Sequence, residues 1–180
     1  MAAAVSLPPD VAQRASRISV LVLDVDGALT DGRIIYAEYG DELKHFDVQD
    51  GAGLAFWHRL GLKSAIISGR KTRLVKRRAK ELRVDFLAQG QLLKVAAYEQ
   101  MLKRLRATDE QVCAIGDDIL ELPILRRAGL AVAVPNAVEE VKQVCHYVTR
   151  RPGGRGAVRE TIDLILKAKG LWDQVLQRYQ

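Results

Sequence analysis

The chain has 180 residues, 48% hydrophobic and 28% charged, with 14 glycines and 5 prolines; this excludes a disordered, collagen-like or coiled-coil chain and suffices for one domain with its own core. Lysine and arginine number 28 against 22 acidic residues, a net charge of +6, which points to an anionic partner without naming it. No apolar run approaches the ~18 residues of a membrane-spanning helix, and Cys113 and Cys145 lack metal-ligand spacing, as expected of reduced core thiols in a cytoplasmic protein.

Residues 1–17 read as an N-terminal extension. Their opening, Met1-Ala2-Ala3-Ala4-Val5-Ser6-Leu7-Pro8-Pro9, lacks a basic n-region and a long apolar h-region and so does not read as a secretion signal. From residue 18 to about 170 short β-branched runs alternate with helical patterns, the signature of one parallel α/β sheet domain. Strands are predicted at 18–23, 63–67, 86–88, 112–115, 131–134 and 147–149. Helices are predicted near 53–60, 72–82, 94–105, 120–127, 138–144 and 158–167, and 171–180 reads as a tail. Near-continuous apolar strands imply burial on both faces, hence a Rossmann-like sheet with helices above and below. One stretch breaks the alternation. Ile34-Ile35-Tyr36 and Glu42-Leu43-Lys44-His45-Phe46 flank Tyr39-Gly40-Asp41, a hairpin signal that predicts a small β flap at about 33–47.

The densest basic stretch, residues 70–80, carries Leu74, Val75 and Ala79 at helical spacing and reads as the solvated face of an amphipathic helix. No aromatic interrupts it, so nucleic acid is not the expected partner, nor is a membrane.

Three apolar strands end in polar residues of one kind. The first runs into Asp24-Val25-Asp26-Gly27, the second into Ser68-Gly69-Arg70 and the fourth into Gly116-Asp117-Asp118. In a parallel sheet all three reach the carboxyl edge, where open α/β sheets bind ligands. Singly, each Asp reads as a helix N-cap or turn former. Four carboxylates on one edge would repel one another unless a hard divalent cation sat among them, and oxygen-only ligands favour magnesium. Ser68 and Lys94 can each hold a phosphoryl oxygen, and Gly27 lets the backbone approach an anion. Taken alone, Lys94 is also compatible with an ordinary surface lysine.

Asp24-Val25-Asp26-Gly27-Ala28-Leu29-Thr30 resembles the nucleophile loop of the haloacid dehalogenase superfamily, and Ser68, Lys94 and Gly116-Asp117-Asp118 follow in that family's motif order. Leu29-Thr30-Asp31-Gly32, Gly40-Asp41-Glu42-Leu43-Lys44, Asp50-Gly51, Ile67-Ser68-Gly69-Arg70-Lys71, Gln89-Gly90 and Gly153-Gly154-Arg155-Gly156-Ala157-Val158-Arg159-Glu160 narrow the resemblance to its capless subgroup, the 3-deoxy-D-manno-octulosonate 8-phosphate phosphatases. The chain departs from that pattern at Gln49, where Arg is usual, and at Glu121, where Asp is usual.

The resemblance implies a magnesium-dependent phosphatase of lipopolysaccharide biosynthesis. Asp24 is the implied nucleophile, forming an aspartyl-phosphate, and Asp26 the general acid and base, kept protonated by carboxylate neighbours. Gly27, Ser68 and Lys94 are implied to hold the phosphoryl group, with Lys94 also pairing with Asp24. The Asp24 carboxylate, the Asp26 backbone carbonyl and Asp117 are implied to hold Mg2+, with Asp118 and Glu121 orienting its water. Thr30, Arg70 and Arg155 are implied substrate contacts, Arg155 from a mobile Gly-rich segment that closes over a site. The stretches between Asp26 and Ser68 and between Ser68 and Lys94 are too short for a cap domain, so the resemblance also implies a homotetramer whose subunits wall each other's sites. A nine-carbon sialic-type sugar 9-phosphate stays open as substrate. From another class, a phospho-receiver module also uses clustered Asp, a hydroxyl and a Lys, but its phosphoacceptor lies on a later strand than its acidic pair. A catalytically silent subunit conflicts with the intact Asp24, Asp26, Ser68, Lys94 and Asp117.

Overall fold

A computed structural model of the chain describes residues 8–38, 40 and 42–180. The reading of a leaderless N-terminus thus falls largely on residues outside the described ones, as do Tyr39 and Asp41 of the expected hairpin turn.

The chain opens with α1 (Pro9–Arg17) and enters β1 (Val20–Leu23). After a wound turn come the short strands β2 (Ile35–Tyr36) and β3 (Glu42–Leu43), then α2 (Val48–Arg59), β4 (Lys63–Ser68), α3 (Arg73–Glu81) and β5 (Phe86–Gln89). The second half runs α4 (Val95–Leu105), β6 (Val112–Gly116), α5 (Leu122–Leu125), β7 (Leu130–Ala133), α6 (Glu139–Val144), β8 (Tyr147–Val148), α7 (Ala157–Ala168) and α8 (Trp172–Leu176). Local chemistry sets several starts. The Asp47 carboxylate accepts from Gln49 N at 2.6 Å to cap α2, and the Thr72 hydroxyl accepts from Val75 N at 3.1 Å to cap α3. Helix α3 buries Val75 and Ala79 and leaves Arg73, Lys76, Arg77 and Lys80 in solvent, as its pattern predicts.

Six parallel strands form one sheet in the order β5-β4-β1-β6-β7-β8, and β2 pairs with β3 in a separate antiparallel ribbon. Every residue of β1, β6 and β7 is buried, which their Val, Leu, Ile and Ala content demands of strands covered on both faces. Helix α2 packs on α7 and α7 on α1, while α4 packs on α5 and α5 on α6. Trp57 and Tyr98, both fully buried, are the largest core side chains.

Both chain ends pack on this body. Helix α1, in the stretch read as an extension, buries Val11 and Ala15, and the Arg14 guanidinium donates to Gly129 O at 2.9 Å. Helix α8, in the stretch read as a tail, buries Val175, and beyond it Tyr179 meets Phe56 edge-on with 6.0 Å between centroids. Among the described residues no helix is long and apolar enough to cross a membrane.

From β1 the chain goes to β4 and β5 on one side, then returns to β6 on the other. The order in which strands are added reverses beside β1, and the crevice outside the carboxyl ends lies there.

Candidate active site

The pairing register aligns the polar ends. Leu23 of β1 stands level with Ile66 of β4 and Ile115 of β6. The residues just beyond, Asp24, Ser68 and Asp117, therefore emerge at nearly one height. Asp24 is anchored through its N–H, which donates to Ile115 O at 3.2 Å. The chain then winds through Val25–Leu29, leaving helical values at Asp26 and at Gly27, whose φ is +108°. A Cβ on Gly27 would lie 1.9 Å from Asp117 Oδ2, so both the conformation and the space require glycine.

Glu121 and Lys94 complete the floor. The one-turn helix Ile119–Glu121 is capped by Asp118, whose Oδ1 accepts from Ile119 N at 2.7 Å. Glu121 Oε2 reaches back to accept from Asp118 N at 2.9 Å and Asp117 N at 3.3 Å. Its other oxygen meets Lys94 Nζ at 2.5 Å, and the same ammonium lies 2.5 Å from Asp24 Oδ1. Lys94 is 2% exposed. It is no surface lysine.

Asp24, Asp117 and Glu121 bring one carboxylate oxygen each within 4.8 Å of one another. One ammonium does not offset three carboxylates, and Asp117 Oδ1 is buried without a hydrogen-bond partner among the described residues. Burial, then repulsion from Asp24 and Glu121, pushes Asp117 up to about 8. Burial, opposed by Lys94, raises Asp24 to about 6. Burial works against the Lys94 ammonium, but Asp24 and Glu121 outweigh it and hold its pKa above the ordinary lysine value. Oxygen-only donors, surplus negative charge and an orphaned carboxylate oxygen fit a hard divalent cation.

Ser68, 1% exposed, ends β4, and its carbonyl accepts from Gln91 N at 3.0 Å, tying that strand end to the turn before Lys94. Arg70 pairs with Glu42 of β3 at 2.9 Å. Glu42 also meets Lys44 at 2.9 Å, and Lys44 bonds the Asp26 carboxylate. Burial disfavours the Lys44 charge, yet hydrogen bonds to Asp26 and Glu42 prevail and raise its pKa. The partner of the Asp26 carboxylate is the Lys44 ammonium, a contact the sequence reading did not assign. One expectation changes here. Thr30, expected against substrate, is 2% exposed, and its hydroxyl is used within the loop. It donates to Val25 O at 3.1 Å and accepts from Gly27 N at 3.4 Å and Gly32 N at 3.3 Å.

The Gly-rich segment is also corrected. Gly154 N donates to Ala28 O at 3.0 Å, and Gly153 N to Asn136 Oδ1 at 2.8 Å. The Asn136 amide donates in turn to Gly27 O at 3.0 Å. A Cβ on Gly153 would stand 1.6 Å from that same oxygen. The segment is a wall fastened to the Val25–Leu29 turn of the same chain, not a free tail, and it leads directly into the buried helix α7. Arg155 projects from this wall and is exposed.

Sequence reasoning passed over Asn136 and read Glu42 and Lys44 only as part of the flap motif. The signals were present: Glu42 and Lys44 are two apart, on one face of an extended segment, and Pro135-Asn136 follows the apolar run of β7 as the other polar pairs follow theirs. Gln49, where arginine is usual, bonds the Arg151 guanidinium. An arginine there would set two guanidinium groups together.

The sequence profile of the haloacid dehalogenase-like hydrolases matches residues 86–160. The 3-deoxy-D-manno-octulosonate 8-phosphate phosphatase of Yersinia pestis is 46% identical over 160 residues, 89% of this chain and 86% of that protein. The enzyme of the same name from Escherichia coli (strain K12) is 43% identical over 165 residues, 92% of this chain and 88% of its own. A crystal structure of the Moraxella catarrhalis 3-deoxy-D-manno-octulosonate 8-phosphate phosphatase, in complex with magnesium ion, phosphate ion and KDO, superposes with a TM-score of 0.92 at 42% identity. The match covers 95% of this chain and 98% of that one. With an acidic strand-end cluster carried on a parallel sheet of that shape, the chain belongs to the haloacid dehalogenase-like hydrolases and, within them, to the family of 3-deoxy-D-manno-octulosonate 8-phosphate phosphatases.

Proposed function

We propose that the protein hydrolyses 3-deoxy-D-manno-octulosonate 8-phosphate to the free sugar acid and phosphate, a step of lipopolysaccharide biosynthesis in the cytoplasm. The observation that carries this reading is the Lys94–Asp24 pair at the end of β1 beside Asp117, whose Oδ1 has no partner among the described residues. Lys94 occupies Asp24 Oδ1 and neutralises it, leaving the second oxygen as nucleophile. That oxygen bonds to phosphorus as the bond from phosphorus to the sugar oxygen breaks. Asp26, in its carboxylic acid form, gives its proton to the departing oxygen. Water then attacks the aspartyl-phosphate, the Asp26 carboxylate takes the water's proton, and Asp24 is released as phosphate forms. Two moderate displacements replace one difficult one.

The Asp24 and Asp117 carboxylates and the Asp26 backbone carbonyl would hold Mg2+, which supplies positive charge against the developing phosphoryl charge. Glu121 fixes Lys94 and the Asp117 and Asp118 amides, and so positions the acidic cluster from beneath. Ser68 and the Gly27 backbone contribute hydrogen-bonding groups to the phosphoryl oxygens. Arg70 and Arg155 stand at the rim as cations for the sugar acid's carboxylate. Two free cysteines accord with a reducing compartment.

Assembly into a homotetramer belongs to the same reading. Tyr36 and Leu43 of the ribbon are 70% and 49% exposed, and Ile34 just before it is 49% exposed. Ribbon strands of two residues are too short to be stable alone, and a second copy would cover them.

Phosphate release measured over a panel of sugar phosphates tests the proposal. The expected result is magnesium-dependent turnover highest on 3-deoxy-D-manno-octulosonate 8-phosphate and lost reversibly in chelator. A clear preference for a nine-carbon sugar 9-phosphate would overturn the substrate, and full turnover in chelator would overturn the mechanism.

A further inference from the structure

Asp26 is the member of the acidic loop with the least support from its own surroundings. It sits at φ −82°, ψ 101°, next to the positive-φ Gly27, on a turn rather than on a strand. Among the described residues the hydrogen bond to its carboxylate comes from Lys44. That side chain is 1% exposed, against 20% for Asp26 and 16% for Glu42. A lysine whose role was to solubilise the flap would extend its ammonium into water. This one is buried under the rim, held by Glu42 at 2.9 Å on one side and by Asp26 on the other. Glu42 in turn holds Arg70 at 2.9 Å. One run of ion pairs therefore links Asp26, through the segment after β3, to the arginine at the rim.

We propose that Lys44 is a positioning residue for Asp26: it fixes one carboxylate oxygen so that the other faces the oxygen that is protonated and, later, the attacking water. The inference rests on the reading of Asp26 as general acid and base. It makes the flap part of the catalytic apparatus as well as a wall. A side chain on a turn has rotational freedom that a misplacement of 1 Å converts into lost rate, and the ammonium removes that freedom. Glu42 serves the same end one step removed by keeping Lys44 in place.

The test uses the full-length protein with magnesium and compares Lys44→Met and Lys44→Arg with the parent on substituted phenyl phosphates. These esters share a shape and differ in leaving-group basicity, and kcat/KM reports the steps through loss of the leaving group. For Lys44→Met the expected loss is within about threefold on 4-nitrophenyl phosphate, whose leaving group needs little protonation, and grows to about 10²-fold on the sugar phosphate. Lys44→Arg, which keeps the charge, should recover most of that loss. In an Asp26→Asn background, Lys44→Met should cost nothing further, because the group it positions is already gone. A loss equal across all esters, as from misfolding or a disturbed phosphate site, would overturn the inference. So would a full additional loss in the Asp26→Asn background. Failure of the underlying reading looks different: Asp26→Asn alone would leave the sugar phosphate rate unchanged.

Discussion

The floor of the site and its rim are built on opposite principles. Asp24, Lys94 and Glu121 are 7%, 2% and 6% exposed and project from, or pack against, the ends of β1 and β6, whose residues are all buried. The rim is made of β2 and β3, two residues each, with Arg70 and Arg155 reaching from loops. Buried strands and the turns packed on their ends hold the floor in one arrangement, and phosphoryl transfer loses rate steeply when reacting groups are misplaced. Loops can change sequence without disturbing that geometry, so on the proposed reading recognition of a particular sugar falls where it is least coupled to the fold. Lys44 is the exception, a rim residue that reaches the floor.

The sharpest way to break this contrast is at the floor. Asp24→Asn should fold as the parent does and lose at least about 10⁴-fold in turnover, since an amide cannot carry the phosphoryl group; steady-state kinetics beside a circular dichroism melt would show both. Lys94→Met should leave the Asp24 and Glu121 carboxylates buried without their cation and cost about 3–5 kcal/mol in metal-free urea unfolding. At the rim the effects should be smaller and selective. Arg155→Ala should raise KM for the sugar acid phosphate about tenfold, the loss of one exposed charge contact, with no change on phenyl phosphates.

The smallest effect belongs to a carboxylate in neither region. Asp50 is buried against the start of α7, where its Oδ1 accepts from Arg159 N at 2.7 Å and its Oδ2 has no partner among the described residues. Burial raises its pKa to about 6. A carboxyl raised on folding contributes stability below its ordinary value and loses it as pH rises through about 6. Asp50→Asn should remove that dependence, so that the variant gains on the parent by on the order of 1 kcal/mol between pH 4 and 7. Thermal melts across that range, with activity unchanged at neutral pH, would separate this fold-linked carboxylate from those of the site.

The sheet was legible because its strands are unbroken apolar runs, and each predicted strand appears within two residues of its expected ends. Asp24 and Asp117 were legible for the same reason: polar residues that follow buried strands have one place to go; Lys94, five residues past β5, was legible only through the motif order. What escaped depends on tertiary contact. Helix α1 carries only Val11 and Ala15 toward the core, too weak a stripe to separate from an extension. Thr30 and Asp118 read as site residues by motif, yet the Thr30 hydroxyl braces its own loop and the Asp118 carboxylate caps a helical turn. Gly153 and Gly154 are there for close approach to Gly27 and Asp31, and composition alone cannot distinguish that from a linker.

If Asp24 carries the phosphoryl group, rapid acid quench of the magnesium-loaded enzyme during turnover traps it there. Mass spectrometry of the digested protein should find one phosphoryl group on the peptide that contains Asp24, absent in Asp24→Asn and stable to acid but cleaved by hydroxylamine, as an acyl-phosphate is. Release of phosphate by the parent with no phosphoryl group on that peptide, together with undiminished turnover in Asp24→Asn, would contradict the account.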